Sequence, residues 1–242
     1  MTHPPVHADH GPPASARSFI AALGVGVAIA GCLRWWLVHT RDAGFEADGA
    51  ALRDTLSGTL LLQIAVTVAF GLAAVATMPA LRADRLPSRR LQQLLGALAS
   101  MTLAISLGAV MLSIYRRKEA GYELLAESFA LYLAINLVFL FWYWYADHPL
   151  RTGVHLEDRT VDFDQGIRFP EEGLAADADR PGSWVPGLTD DLYFTLLSSN
   201  CFGAPEGHVL IGRTLKLVQI VHTVFMIFVF IIIVSRAINT LA

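Results

Sequence analysis

The chain has 242 residues, of which 54% are apolar and 16% charged. Soluble domains carry about 25% charged residues and about 45–50% apolar ones, so an ordinary soluble globule is excluded, and with so few charges a disordered chain is excluded too. The net charge of -3 gives no general basic surface for nucleic acid, and two cysteines, Cys32 and Cys201, cannot form a disulfide scaffold or a four-thiolate metal site.

The first seventeen residues hold prolines, one arginine and three histidines, His3, His7 and His10. Three imidazoles could bind a metal. A proline-rich tail does not fix a coordination geometry, so residues 1–17 read as a flexible solvated tail.

Five apolar blocks follow, at 18–38, 58–81, 91–114, 124–145 and 215–234. A helix needs about 20 mostly apolar residues to cross the ~30 Å hydrocarbon layer. Backbone facing lipid must pair its own N–H and C=O groups, so each block is expected to be a helix. The first three, over 18–114, read as an N-terminal membrane region. Within the first block Ile29, Ala30, Gly31 and Cys32 resemble a lipoprotein lipobox. The tail lacks the charged start of a signal peptide, and Arg34, Trp35 and Trp36 make poor linker chemistry after the cysteine, so a span is preferred to lipidation. Trp35 and Trp36 close the first block, and Phe141, Trp142, Tyr143, Trp144 and Tyr145 close the fourth. Such rings favour the headgroup level; packing in a core is the alternative for the second cluster.

The charges are segregated. Residues 146–213 carry twelve acids and five arginines, while the rest has thirteen bases and nine acids. Short basic loops prefer the cytoplasm. The loop 115–121, with Arg116, Arg117 and Lys118, and the loop 82–90, with Arg82, Arg85, Arg89 and Arg90, flank a single span, so both cannot lie inside. Placing 115–121 inside puts the acidic stretch outside and the C-terminus, with Arg236, in the cytoplasm.

The stretch 146–183 is polar and rich in proline and glycine, and is expected to be an extramembrane loop or small cap. From Trp184 the character changes. Thr189, Asp190 and Asp191 make a good helix start, and the apolar run 192–197 is too short to span. Ser198, Ser199, Asn200, Cys201, Phe202, Gly203, Ala204, Pro205, Glu206 and Gly207 then supply small, polar and turn-forming residues. If this segment dips into the membrane, its backbone must meet protein or water. A short half-helix, a polar loop and a closing helix form the layout of a pore loop.

At this point the residues carry a resemblance. The segment DDLYFTLLSSNCFGAPEGH looks like the pore region of potassium-channel-like proteins. More closely, the chain resembles a group of uncharacterised bacterial integral membrane proteins with a potassium-channel-like pore-loop layout (helix, re-entrant loop, helix) in the C-terminal half. The likeness covers about residues 95–242 and rests on FWYWYADHP, on Arg168, Phe169 and Pro170, and on the segment from Trp184 to Tyr193. It implies an inner-membrane protein that works as a homo-oligomer, a tetramer by resemblance. The filter departs from the potassium pattern, because Cys201 stands where the first filter glycine would be and resists the backbone angles a glycine permits.

The expected fold is therefore all-α: a multi-pass membrane helix bundle with five spans and one re-entrant half-helix. Residues 115–242 form the pore-loop-like module. The expected function is a cation channel-like oligomer of low or altered selectivity. The alternative is a non-conducting membrane subunit or scaffold that docks partner membrane proteins. Ser198, Ser199, Asn200, Cys201, Phe202 and Gly203 are the filter-like residues, and Glu206, His208 and His222 the mouth or pore-lining candidates. The plainer readings are capping and turn formation for the serines and Asn200, a solvated loop pair for Glu206 and His208, and a buried inter-helix hydrogen bond for His222, which lies with Gln219 in the last block and could otherwise sense pH or line a pore. Glu127, one turn inside the fourth block, could pair with Arg34 or with Arg116–Lys118, and Asn136 reads as a packing residue. No P-loop, G-x-S-x-G, H-E-x-x-H or Rossmann pattern occurs. No enzyme activity, cofactor, metal or nucleic-acid partner is expected; the expected partners are the bilayer and other membrane subunits.

Overall fold

The structure, a computed structural model, describes residues 16–39, 50–83, 85–114, 121–152, 166–171 and 186–241. The tail histidines, the bases of 115–120 and residues 153–165 and 172–185 lie outside the described residues, as do the side chains of Arg34 and Glu123.

Among the described residues the chain forms six helices and two short strands, in order α1 Ala16–His39, α2 Ala50–Arg82, α3 Arg89–Ile114, α4 Gly121–Thr152, β1 Gly166–Arg168, α5 Leu188–Cys201, β2 Val209–Ile211 and α6 Arg213–Leu241. Five of these helices are long and apolar enough to cross a membrane, over Ala16–Leu33, Gly58–Arg82, Arg89–Met111, Ala126–His148 and Arg213–Ser235. This is the pattern of a multi-pass membrane protein. The outer faces agree with it: Leu61, Leu72 and Val75 on α2 and Leu217, Ile220 and Phe230 on α6 are all more than half exposed. An apolar surface of that extent is unsuited to water and suited to hydrocarbon.

The central helix is α4, which touches α1, α3, α5, α6 and β1. Its neighbours run against it in a fixed sense. Phe19, at the start of α1, stacks on Trp144 at 5.0 Å, and Arg89, at the start of α3, lies 4.8 Å over the Tyr145 ring. The Arg17 guanidinium donates to the Leu81 carbonyl at the end of α2. One end of the bundle therefore collects Arg17, the arginines of 82–90 and the end of α4.

Centrality explains a departure from the sequence expectation. Phe141, Tyr143, Trp144 and Tyr145 are buried, and Trp142 is half-buried with its indole Nε1 donating to Ser100 Oγ at 2.9 Å. These rings pack a core and do not face outward as a girdle, because the second half of α4, from Val138 to Asp147, is enclosed by its neighbours apart from the half-buried Trp142. Trp35 and Trp36 are exposed. Cys32 is exposed on the uninterrupted α1.

Two other features were absent from the all-α expectation. Helix α4 runs on past Pro149 to Thr152. Strands β1 and β2 pair antiparallel, with Gly166 opposite Ile211, Ile167 opposite Leu210 and Arg168 opposite Val209. The ribbon is pinned to the end of α4, where Asp147 Oδ1 accepts the Ile167 N–H at 2.7 Å. A charge-assisted bond of this kind contributes about 1.5–3 kcal/mol. Asp147→Ala is expected to speed amide exchange at Ile167 by at least about tenfold, the equivalent of ~1.4 kcal/mol; unchanged exchange would show that strand pairing alone holds the ribbon.

Candidate functional site: a buried polar junction and the exposed tip of α5

Helix α5 is built from its first turn. Asp190 Oδ2 accepts the Gly187 N–H at 2.7 Å, the return half of a capping box, so the helix starts one residue before Thr189. The inward face then carries Asp191, Phe194, Thr195, Ser198 and Ser199, all buried. Their three- and four-residue spacing is that of one helical stripe. With 14 residues, the helix is about 21 Å long, shorter than the ~30 Å hydrocarbon layer.

That stripe meets Asn136 and Tyr143 on α4, with Tyr132 beyond them at Asn200. The serine hydroxyl of Ser199 lies 2.6 Å from Asn136 Oδ1 and 2.9 Å from His222 Nε2 on α6. Across the ring, His222 Nδ1 lies 3.2 Å from the Tyr143 hydroxyl, which lies 2.7 Å from Gln219 Oε1. Asn136 Nδ2 donates to the Tyr132 carbonyl at 2.8 Å. Phe139 stacks face to face on the His222 ring at 4.4 Å. Ser199, Asn136, Tyr143 and His222 are each no more than 2% exposed. A buried junction of hydrogen-bonded side chains of this kind holds three helices in one register.

The tip of α5 lies beyond this junction. Tyr132 donates to Asn200 Oδ1 at 3.4 Å, and Thr223 Oγ1 donates to the Phe202 carbonyl at 3.3 Å. The Phe202 ring meets Phe230 edge-on at 6.2 Å. Leu137 is the middle residue of Ala126–His148 and Val224 that of Arg213–Ser235, so the tip of α5 sits beside the middle of both spans. Phe202 ends the helix in the left-handed region, at φ 52°. The chain then returns. By His208 the imidazole packs against Phe169 and Phe194, at 5.3 and 5.4 Å, near the ribbon. Gly207, at φ +81°, makes this return possible, since a Cβ there would lie 3.0 Å from Pro170 Cγ.

The filter-like set is thus divided. Ser198 and Ser199 turn inward, Asn200, Cys201 and Phe202 are exposed, and Gly203 is half-exposed. Residues 198–201 form the last turn of a helix and not an extended row of carbonyls. Glu206 is exposed, His208 is half-buried under aromatic rings, and His222 is wholly enclosed. Sequence reasoning missed Tyr143 and Tyr132 as partners; their spacing with Asn136 along one α4 face was the available signal. Glu127 is buried; the cations proposed for it lie outside the described side chains. Among the described residues, no three His, Cys, Asp or Glu side chains gather as a metal site would require.

Comparison with protein-family models, with curated proteins and with solved structures finds no match for this chain.

Proposed function

We propose that this chain is a bacterial inner-membrane protein whose α4–α5–α6 unit is a pore-loop-like module, with α5 re-entering the bilayer, and that several copies assemble around an axis to pass cations with low or altered selectivity. One observation carries the reading: the polar end of α5, with Asn200, Cys201, Phe202 and Gly203 on the outer surface, lies beside the middle of two apolar spans. Lipid cannot satisfy a helix end or an amide at that depth, so water or protein must cover it. A helix C-terminus carries roughly half a negative charge, which favours cations over anions. The helical geometry of 198–201 supports altered selectivity, because a potassium filter needs carbonyls freed from helical bonding. A cytoplasmic C-terminus is supported by Arg116, Arg117 and Lys118 in a short loop and by Arg236 after the last span.

Ion flux into liposomes tests this. Wild type should pass cations above empty liposomes. Asn200→Leu should cut flux by about tenfold, the kinetic equivalent of ~1.4 kcal/mol lost at the barrier. Glu206→Gln should cut it less, and the difference should vanish at high salt. Equal flux in all three at the level of empty liposomes would remove the proposal.

The second reading is a non-conducting subunit or scaffold. The Phe202–Phe230 edge, continuous with exposed Ile227 and Ile231, favours it, because such a ridge suits a partner helix. Thiol cross-linking from Cys201 in a Cys32→Ser background separates the two. Links between copies of this chain are expected for the pore; links only to other membrane proteins would favour the scaffold.

A further inference from the structure

The hairpin of α2 and α3 gathers positive charge at one end of the bundle. Residues 82–90 hold Arg82, Arg85, Arg89 and Arg90 against one acid, Asp84. Arg17 reaches the same place from α1 through its bond to the Leu81 carbonyl. The four hairpin arginines are exposed. Among the described residues, no carboxylate pairs with any of the four.

The backbone beneath them is fixed. The Ala83 N–H bonds the Pro79 and Ala80 carbonyls at 3.2 and 3.1 Å, and the Arg85 N–H bonds the Ala80 carbonyl at 2.9 Å. The buried Gln92 amide donates to the Pro87 carbonyl at 2.9 Å. Arg89 is the most closely held of the four side chains. Its Nε donates to the Tyr145 hydroxyl at 3.3 Å, and its guanidinium carbon lies 4.8 Å over that ring, which is itself buried. The ring sets the plane of the guanidinium and takes its Nε hydrogen. The two Nη groups then form a planar fork, the shape that grips two oxygens of one phosphate.

Depth and the residues beneath select the anion. Arg82 closes one span and Arg89 opens the next, so the arginines stand where hydrocarbon gives way to headgroups. Deeper on the same helix faces lie exposed apolar residues: Met78 and Val75 below Arg82, and Leu94 and Met101 below Arg90. A phospholipid meets both levels, with its phosphate on the arginines and its chains on these tracks. Free phosphate leaves the lower level unused, and an acidic peptide brings no hydrocarbon to it. In the orientation proposed above, with 115–121 in the cytoplasm, these arginines stand on the outer side, against the usual preference of a short basic loop. Lipid phosphate is the counter-charge available to them there.

We propose that the α2–α3 hairpin is a binding site for an anionic phospholipid, its phosphate held by Arg82, Arg85 and Arg89 and its chains laid along α2 and α3. Arg17 is a positioning residue: it ties α1 to the end of α2 and adds its charge beside Arg82. The inference rests on the five helices crossing a bilayer and not on conduction.

Native mass spectrometry tests it, on the full chain released from micelles that contain equal amounts of phosphatidylglycerol and phosphatidylcholine. Wild type should retain one phosphatidylglycerol, with a preference of about tenfold over phosphatidylcholine. Arg85→Gln and Arg89→Gln should each cut that preference about fivefold, the equivalent of ~1 kcal/mol per arginine. The Arg85 side chain makes no hydrogen bond within the fold, so its variant serves if Arg89→Gln does not fold. Arg213→Gln removes another exposed arginine at the same end of the bundle, at the start of α6. It should change the preference less than about twofold, since it does not touch the phosphate and salt screens its field. Water-soluble glycerophosphoglycerol in excess should not displace the lipid. Equal retention of the two lipids by wild type, a loss in Arg213→Gln as large as in Arg85→Gln, or displacement by glycerophosphoglycerol would overturn the proposal. If wild type inserts into liposomes and passes no cations, yet still selects phosphatidylglycerol, the pore reading fails and the lipid site stands. If it does not insert at all, the lipid site fails together with the membrane reading.

Discussion

Gly96→Ala is expected to destabilise the bundle by ~1–3 kcal/mol, the cost of forcing a methyl group into a filled interior. Helix propensity alone predicts the opposite, since replacing glycine by alanine inside a helix is worth up to ~1 kcal/mol. Contact decides the sign. A Cβ at Gly96 would lie 2.7 Å from Trp142 Cζ2 and 2.9 Å from Phe141 Cε1. Neither ring can step aside. Phe141 is fully buried and in contact with Trp142, Trp144 and Tyr145, and Trp142 is tied through its indole to Ser100. Gly71→Ala on α2 is the matched control, because nothing lies within 4 Å of its Cβ position; it should be neutral or stabilising by up to ~1 kcal/mol. Unfolding in mixed micelles measures both. Equal stability of the two variants would mean that the α3–α4 seam is looser than these distances require.

The same seam shows where the sequence stopped being legible. The five spans were readable because hydrocarbon thickness imposes about 20 apolar residues, and the observed spans match the blocks to within five residues at every end. Which helix is central was not readable. The run from Phe141 to Tyr145 has the composition of a headgroup girdle, yet all of it but the half-buried Trp142 is buried, because neighbouring elements enclose the second half of α4. The ribbon was invisible for another reason. Each strand has three residues, too few to show a period, and its partner lies some forty residues away. At the site, the start of α5 was legible from Asp190 and Asp191. Its end was not: small polar residues suit a helix end and a loop equally, so the inward turn of Ser198 and Ser199 depended on α4 and α6. The clue on α4 was the placing of Asn136 and Tyr143, seven residues apart on one face of an otherwise apolar helix. A polar group there requires a partner, and the partners are Ser199, His222 and Gln219.

Removing one hydroxyl from that junction should have a larger effect than its size suggests. Ser199→Ala is expected to loosen α5 by ~1–3 kcal/mol. An inter-helix hydrogen bond in a membrane is worth only about 0.6 kcal/mol on average, because the separated helices find other partners. Here, however, the alanine leaves two buried groups, Asn136 Oδ1 and His222 Nε2, without the contact each now makes, and an orphaned buried group costs more than a bond contributes. Asn136→Leu on top of Ser199→Ala should therefore recover part of the loss, since it removes one of the orphans. Thr195→Val is the control one turn earlier on the same buried face. Its hydroxyl bonds the Asp191 carbonyl of its own helix at 2.7 Å, so the isosteric change should cost less than ~1 kcal/mol. Amide exchange across Leu188–Cys201 should speed by about 10–100-fold in Ser199→Ala, at ~1.4 kcal/mol per factor of ten, while α1 and α3 stay unchanged. Uniform loosening of all helices, or an additive double variant, would mean that Ser199 only fills space and that something other than this junction holds α5 against α4 and α6.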